Sequence, residues 1–209
     1  HYKYIKSSAS RTFVFVNSLG TDFRIWDEVT ENLKNHGSIL CFDKRGHGLS
    51  EISENPLTIS DYVSDLVTLL DVLKIDKCVL IGLSIGGIIG QKMALMHPER
   101  IEKLVLSNTA PRVGSEESWN TRINIVANKG IAAIADTVMK VWFSENFHQN
   151  NTTELAGYKL MLSNSNLAGY IHACEALKVN DLTNEISKIN IPTLCIAGTE
   201  DGSTPPAQV

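Results

Sequence analysis

"VLIGLSIGGIIG", residues 79–90, joins an apolar strand, a glycine-flanked serine and a helix rich in small residues. Within it, Gly82-Leu83-Ser84-Ile85-Gly86 matches G-x-S-x-G, with strand, turn and helix all in place around the serine. A sharp strand-to-helix turn forces the serine into a strained backbone conformation. The flanking positions then lie too close to neighbouring chain for side chains, which accounts for the glycines. The turn raises the Ser84 hydroxyl above the sheet and sets the Ile85 N–H at a helix N-terminus, where it can stabilise an oxyanion. The plain alternative is a structural serine in a tight turn.

Working outward, apolar runs alternate with helix-like stretches. "TFVFVNS" (12–18), "SILCFD" (38–43), "CVLIGL" (78–83), "IEKLVLSN" (101–108) and "PTLCIAG" (192–198) read as strands. Residues 22–37 carry Phe23, Trp26, Val29 and Leu33 at helical spacing, with Gly37 as a stop. Residues 60–74 place Tyr62, Leu66, Leu69, Leu70 and Leu73 on one face behind Ser60 as a cap. A third helix over 85–96 must end near Pro98. Strands that are continuously apolar and separated by helices imply a parallel sheet covered on both faces, so the fold class is α/β. "HYKYIKSS" (1–8) reads as an antiparallel edge strand.

Residues 110–188 break this rhythm: they are strand-poor and mostly helical, reading as three or four helices. The division is therefore a core over 1–109, a helical cap over 110–188 and a continuation of the core over 189–209. An insertion on the carboxyl-end side of a parallel sheet roofs the region where such sheets bind ligands.

The 209 residues suffice for one large domain with an insertion. Hydrophobic content of 43% and charged content of 20% are ordinary for a globular protein, and no apolar run is long enough to span a bilayer. A net charge of −4 with scattered Lys and Arg argues against nucleic acid as a partner. Cys41, Cys78, Cys174 and Cys195 are far apart and read as small buried hydrophobes, not as metal ligands or a disulfide framework. No signal peptide is visible, which makes the cytoplasm the default location. The start at His1 without a methionine and the stop at Val209, just past Pro205-Pro206, read as cut ends.

A serine is a poor nucleophile at neutral pH unless a base, oriented by an acid, activates it. The acid belongs after a later strand. "CIAGTEDGSTPP" (195–206) offers Asp201, with Glu200 as the neighbouring alternative and a solvated turn residue as the plain one. A second oxyanion donor belongs in the loop after the first central strand. "FVNSLGTD" (15–22) supplies the Leu19 N–H there, unless Asn17 or Thr21 simply caps a helix.

These residues carry a resemblance. The chain resembles the α/β-hydrolases and, more narrowly, the 3-oxoadipate enol-lactonases of the β-ketoadipate pathway of aromatic catabolism. The matching stretches include "NSLGTDFRIWD", "FDKRGHGLS", "GLSIGG", "HPERIEKLVLSNTA", "GYIHACEALKVNDL" and "AGTEDGSTPP". The resemblance implies Ser84 as nucleophile, Asp201 as acid, the Leu19 and Ile85 amides as oxyanion hole, and a carboxylic-ester hydrolase that needs no cofactor. It also implies a small lactone substrate bearing a carboxylate. That carboxylate calls for a cation near the cap, and Arg122, Lys140 and Lys178 fit by charge. Trp142, which belongs to the matching "KVWF", and Trp119 are pocket-wall expectations.

The family's catalytic histidine follows one further strand after the acid, so it is expected downstream of Val209. Of the six histidines present, His1, His36, His97 and His148 sit at ends or in polar loops, and His47 in "RGHG" reads as a satisfied structural residue. Only His172 lies on a helix that could face the site. If the chain truly ends at Val209, a non-catalytic binding protein or an inactive fragment becomes the alternative, beside a generic carboxylesterase or perhydrolase.

Overall fold

A computed structural model describes all residues from His1 to Val209. Its strands are β1 (Tyr2–Ile5), β2 (Thr12–Val16), β3 (Ser38–Phe42), β4 (Cys78–Leu83), β5 (Ile101–Ser107) and β6 (Thr193–Ile196). They form one sheet in the order β1-β3-β2-β4-β5-β6. β1 runs antiparallel to β3, as expected of the edge, and every other pair is parallel. The chain steps outward from β2 to β3 and then crosses back over β2 to β4. At this reversal the loops leaving the carboxyl ends of β2 and β4 diverge and open a crevice.

Alternate residues of β2, β3 and β4 feed two cores. Val14, Val16, Leu40 and Leu80 pack on one face, while Phe15, Ile39, Cys41, Val79 and Ile81 pack with Trp26 on the other. Each such side chain contributes about 1.5–3 kcal/mol when fully buried. Burial on both faces is why these strands read as unbroken apolar runs.

The helices beside the sheet are α1 (Asp27–Leu33), α2 (Ile59–Val72) and α3 (Ile85–Met96). Residues 22–37 are not one helix. A 3-10 turn over Phe23–Trp26 precedes α1, and Val29, expected to face inward, is 42% exposed. α2 is capped by Thr58 rather than Ser60. The Thr58 hydroxyl accepts the Asp61 N–H, and the Asp61 carboxylate accepts the Thr58 N–H at 2.7 Å, leaving Ser60 inside the first turn. The buried stripe of α2 is Ile59, Tyr62, Val63, Leu66 and Leu70, with Leu69 and Leu73 partly buried beside it.

Between β5 and β6 lie five α-helices, more than the three or four expected: α4 (Glu116–Lys129), α5 (Ala135–Trp142), α6 (Glu145–Asn150), α7 (Thr152–Ser163) and α8 (Leu167–Val179). α4 packs along α8, and the Trp119 indole donates to the Val113 carbonyl at 2.7 Å in the core beneath them. α8 meets the loop after β3 backbone to backbone. A Cβ on Gly169 would stand 2.6 Å from Gly46 Cα and closer to the Gly46 oxygen.

β6 departs from the pattern of a covered strand, with Leu194 57% and Ile196 46% exposed. Cys195 within it is exposed, so only Cys41, Cys78 and Cys174 behave as buried hydrophobes. Burial pushes those three thiols up to about 12. No helix is long and apolar enough to cross a membrane.

Candidate active site

Ser84 sits between β4 and α3 at φ 55° and ψ −118°, one of three non-glycine residues with positive φ. Such a conformation costs about 1–3 kcal/mol and persists only where surroundings over-determine it. Here they do. The Ser84 N–H donates to the Ser107 carbonyl at 3.0 Å. Its own carbonyl accepts the Thr109 hydroxyl at 2.7 Å and the Gly87 N–H at 2.8 Å. All the bonds to Ser84 are made by its backbone, so Oγ is free to react. Gly86 allows α3 to start directly against the end of β2: a Cβ there would lie 2.7 Å from the Val16 carbonyl carbon and 3.1 Å from the Asn17 oxygen.

The Leu19 and Ile85 N–H groups donate to no acceptor within the protein. Both residues are buried, at 6% and 0% exposure. A buried N–H without a partner is rare, and such a group is able to receive negative charge. Ile85 directly follows Ser84, and Leu19 follows Ser18, which lines the same cavity as Ser84.

Ser84 opens into a cavity of about 460 Å³ at the carboxyl end of the sheet, where the order of strands reverses. Ser18 and Thr21 line it from the loop after β2. Trp142, Phe143 and Tyr158 line it from α5, the residue after it and α7. Asp201, in the loop after β6, lines the same cavity, so the structure brings together the two residues that the sequence paired.

Asp201 is held from four directions. Oδ1 accepts the N–H groups of Ser203 at 2.7 Å and Thr204 at 3.0 Å. Oδ2 accepts the Asn108 amide at 2.8 Å and the Thr204 hydroxyl at 2.7 Å. Partial burial alone would raise this carboxyl. The bonds from Thr204, Asn108 and Ser203 outweigh burial and hold it below its ordinary value, so it is ionised at neutral pH. Glu200 also lines the cavity but makes no such bonds.

Asn108 was not anticipated. It has φ 45°, at the end of β5, and there it lines the cavity and fixes Asp201. The only sequence signal was an Asn directly after a strand, a residue type that tolerates this backbone region.

The cation expectations fall elsewhere. Arg122 stacks over the Trp119 ring at 5.4 Å, and Lys178 pairs with Glu175 and donates to Asn120 at 3.2 Å. Lys140 lines a second depression on the outside of α5 and α7. None of the three lines the Ser84 cavity, nor does Trp119; Trp142 does.

No histidine lines the cavity either. His1 contacts Asp43 at 2.7 Å, His97 lies 3.6 Å from Glu99, and His148 contacts the Met139 carbonyl at 3.1 Å. His172 on α8 has its Nδ1 buried without a partner. His47 is not the satisfied residue expected: its Nε2 is also buried without a partner. Burial, reinforced by the nearby Lys44, drives the His47 imidazole well below its ordinary value and keeps it neutral at pH 7.

No group of three or more His, Cys, Asp or Glu side chains is gathered in a way that could hold a metal. The arrangement instead suits acyl transfer: a free hydroxyl and an ionised carboxylate line one cavity, and an unpaired amide follows the serine directly in the chain.

Comparison with known proteins agrees. Residues 11–209 match the family described as alpha/beta hydrolase fold. The chain is 33% identical to 3-oxoadipate enol-lactonase 2 of Acinetobacter baylyi, over 91% of this chain and 72% of that protein. It is equally identical to 3-oxoadipate enol-lactonase 1 of the same organism, over 91% of this chain and 71% of that one. The crystal structure of the enol-lactonase from Burkholderia xenovorans superposes with a TM-score of 0.97 at 37% identity, covering 100% of this chain and 81% of that one. With the strand order, the serine turn and the cavity in agreement, the chain belongs to the α/β-hydrolase family of enzymes and is related to the 3-oxoadipate enol-lactonases.

Proposed function

We propose that the protein is a serine hydrolase that opens the ring of 3-oxoadipate enol-lactone to give 3-oxoadipate, in the β-ketoadipate route of aromatic catabolism. The observation that carries this reading is the strained Ser84, its hydroxyl unbonded, in one cavity with the ionised Asp201. The enol-lactonase names of the relatives supply the substrate.

In this mechanism Ser84 Oγ attacks the lactone carbonyl, and the Leu19 and Ile85 amides take up the oxyanion. Collapse breaks the ring C–O bond. The enol leaves, protonates and becomes the ketone, while the acyl group stays on Ser84. Water then releases the acid, so that lactone and one water give one 3-oxoadipate. An enol leaves more readily than a simple alkoxide, which puts less demand on the leaving-group acid.

The proton on Ser84 needs a base. We assign it to a histidine outside these 209 residues, because none of the six within them lines the cavity. The segment over 110–188 acts as the cap in this reading.

Ser84→Ala tests the assignment. Turnover should be abolished while the lactone still binds; undiminished turnover would end the idea. One observation favours a second reading, a carboxylesterase for neutral substrates. The cavity wall contains no Lys, Arg or His, and it does contain Glu200. Among these 209 residues, the groups that could meet the lactone's carboxylate are neutral donors such as Ser18, Thr21 or Tyr158. Comparing the lactone with p-nitrophenyl esters of graded neutral acyl chains separates the two.

A further inference from the structure

Lys44 is the most deeply buried charged residue of the chain, at 2% exposure, although it lies in the loop directly after β3. Lysine is almost never fully buried unless it is paired. Its amine is aimed at backbone. Nζ donates to the Ser18 carbonyl at 2.6 Å and to the Asn17 carbonyl at 3.3 Å. The Ser18 oxygen also accepts the Thr21 hydroxyl at 3.0 Å, which fills its second lone pair. One side chain thus ties down two successive carbonyls in the loop that leaves β2.

The next N–H after the Ser18 carbonyl belongs to Leu19. In a planar trans peptide the C=O and the following N–H point in opposite directions. Holding the Ser18 oxygen toward Lys44 and Thr21 therefore holds the Leu19 N–H away from them. The chain around this peptide is fixed on its other side as well. α3 begins against the Val16 and Asn17 carbonyls through Gly86, which brings the Ile85 N–H to the same loop.

We infer that Lys44 is a positioning residue for the oxyanion hole: by clamping the Asn17 and Ser18 carbonyls it fixes the peptide plane whose far side presents the Leu19 N–H to the substrate. This rests on the serine-hydrolase reading and deepens it. It also accounts for a burial that is otherwise costly. Desolvation drives the Lys44 amine well below its ordinary value, opposed by the neighbouring Asp43 and Asp22 carboxylates. The clamp needs only two N–H bonds, which the amine supplies with or without its extra proton.

The test uses the intact protein with a p-nitrophenyl ester, active sites titrated so that only folded enzyme is counted. Lys44→Met fills nearly the same space without a donor, and Lys44→Gln keeps a neutral donor. Loss of one well-placed oxyanion donor lowers kcat by about 100- to 1000-fold. Mispositioning it should lower kcat by about 10- to 100-fold in Lys44→Met and by less in Lys44→Gln, with KM within about twofold of the parent. Affinity for a boronic acid, whose tetrahedral adduct on Ser84 imitates the oxyanion, should fall in parallel with kcat. Affinity for the carboxylic-acid product should not move. A purely structural role would instead lower the titratable fraction and leave kcat per active site unchanged, which overturns the inference.

A crystal structure of the parent protein with the boronate bound covers the case in which neither variant folds. Leu19 N within about 3.1 Å of the adduct oxygen, with Ser18 O still on Lys44, upholds the clamp. An adduct that leaves Leu19 N unengaged refutes it while the hydrolase stands. Absence of both ester turnover and adduct refutes the hydrolase reading, and the clamp with it.

Discussion

Gly86→Ala is a one-carbon perturbation of the contact between α3 and the end of β2. The added Cβ would lie 2.7 Å from the Val16 carbonyl carbon and 3.1 Å from the Asn17 oxygen, with the Val16 oxygen nearer still. Carbon atoms in contact settle at about 3.5–4.0 Å, so the backbones must part by about 1 Å. Neither side is a flexible side chain. Val16 is paired to Phe42 and Gly82 within the sheet, and Gly86 lies in the first turn of α3, so the helix start moves as a unit. Overpacking of this kind costs about 1–3 kcal/mol. At ~2–4 °C per kcal/mol for a chain of this size, the melting temperature should fall by about 2–12 °C. The catalytic loss should be larger in proportion. The helix start carries the Ile85 N–H and the Val16–Asn17 segment leads to the Leu19 N–H, so parting them spreads the two donors. A misplacement of ~1 Å can lower a rate about 100-fold. Turnover of a p-nitrophenyl ester beside a calorimetric melt measures both. A variant with parental kcat and an unshifted melt would show that the contact is slack, and would refute the placement of the oxyanion hole at this junction.

Other outcomes follow from the same geometry. Asp201 is held below its ordinary value of 3.8, so its bonds stabilise the fold above that pH and are lost as pH falls through the lower, folded-state value. The stability gap between the parent and Asp201→Asn, measured in urea, should therefore be constant near neutrality and close below about pH 4; a gap independent of pH would mean that Asp201 is not held as an anion. Thr58→Ala removes the hydroxyl half of the α2 capping box, leaving the Asp61 carboxylate on the backbone N–H of residue 58, and should cost about 1 kcal/mol in urea unfolding without changing kcat. Trp142→Ala removes a wall of the cavity and should raise KM for the smallest esters more than for long-chain ones; an equal change across chain lengths would place the acyl group elsewhere.

The sheet was legible because its central strands β2, β3 and β4 are buried on both faces, and their apolar runs needed no alternation to be recognised. The serine turn was legible because Gly82 and Gly86 leave a fixed signature wherever a strand must turn straight into a helix. What escaped the sequence depends on contacts between distant segments. Nothing in "DKRGHG" marks Lys44 as buried, because the carbonyls it binds lie on another strand's loop. Asn108 and Asp201 are 93 positions apart and meet only because β5 and β6 are neighbours. Arg122 and Lys178 looked available by charge, yet Trp119, Glu175 and Asn120 engage them. Periodicity gave α2 its buried face. Its cap was misread by two positions, since Ser60 and Thr58 are equally good capping types and only the backbone angles distinguish them.

In the proposed mechanism, catalysis and specificity occupy different parts of the molecule. The parts proposed to act on the carbonyl are backbone groups and a carboxylate at the ends of β2, β4 and β6, tied to the sheet by Lys44, Asn108 and the glycines. The parts that would choose a substrate are side chains from α5, α7 and the loop after β2. Donors built on strand ends hardly reorganise when charge develops, which is where electrostatic stabilisation of a transition state gains its strength. A wall built from helices inserted between β5 and β6 can change its residues without disturbing those donors. In the proposed mechanism that separation leaves the choice between an anionic lactone and a neutral ester to wall residues. Among these 209 residues the wall offers a carboxylate only neutral donors beside Glu200, and each neutral donor replaces only part of the hydration that the anion gives up.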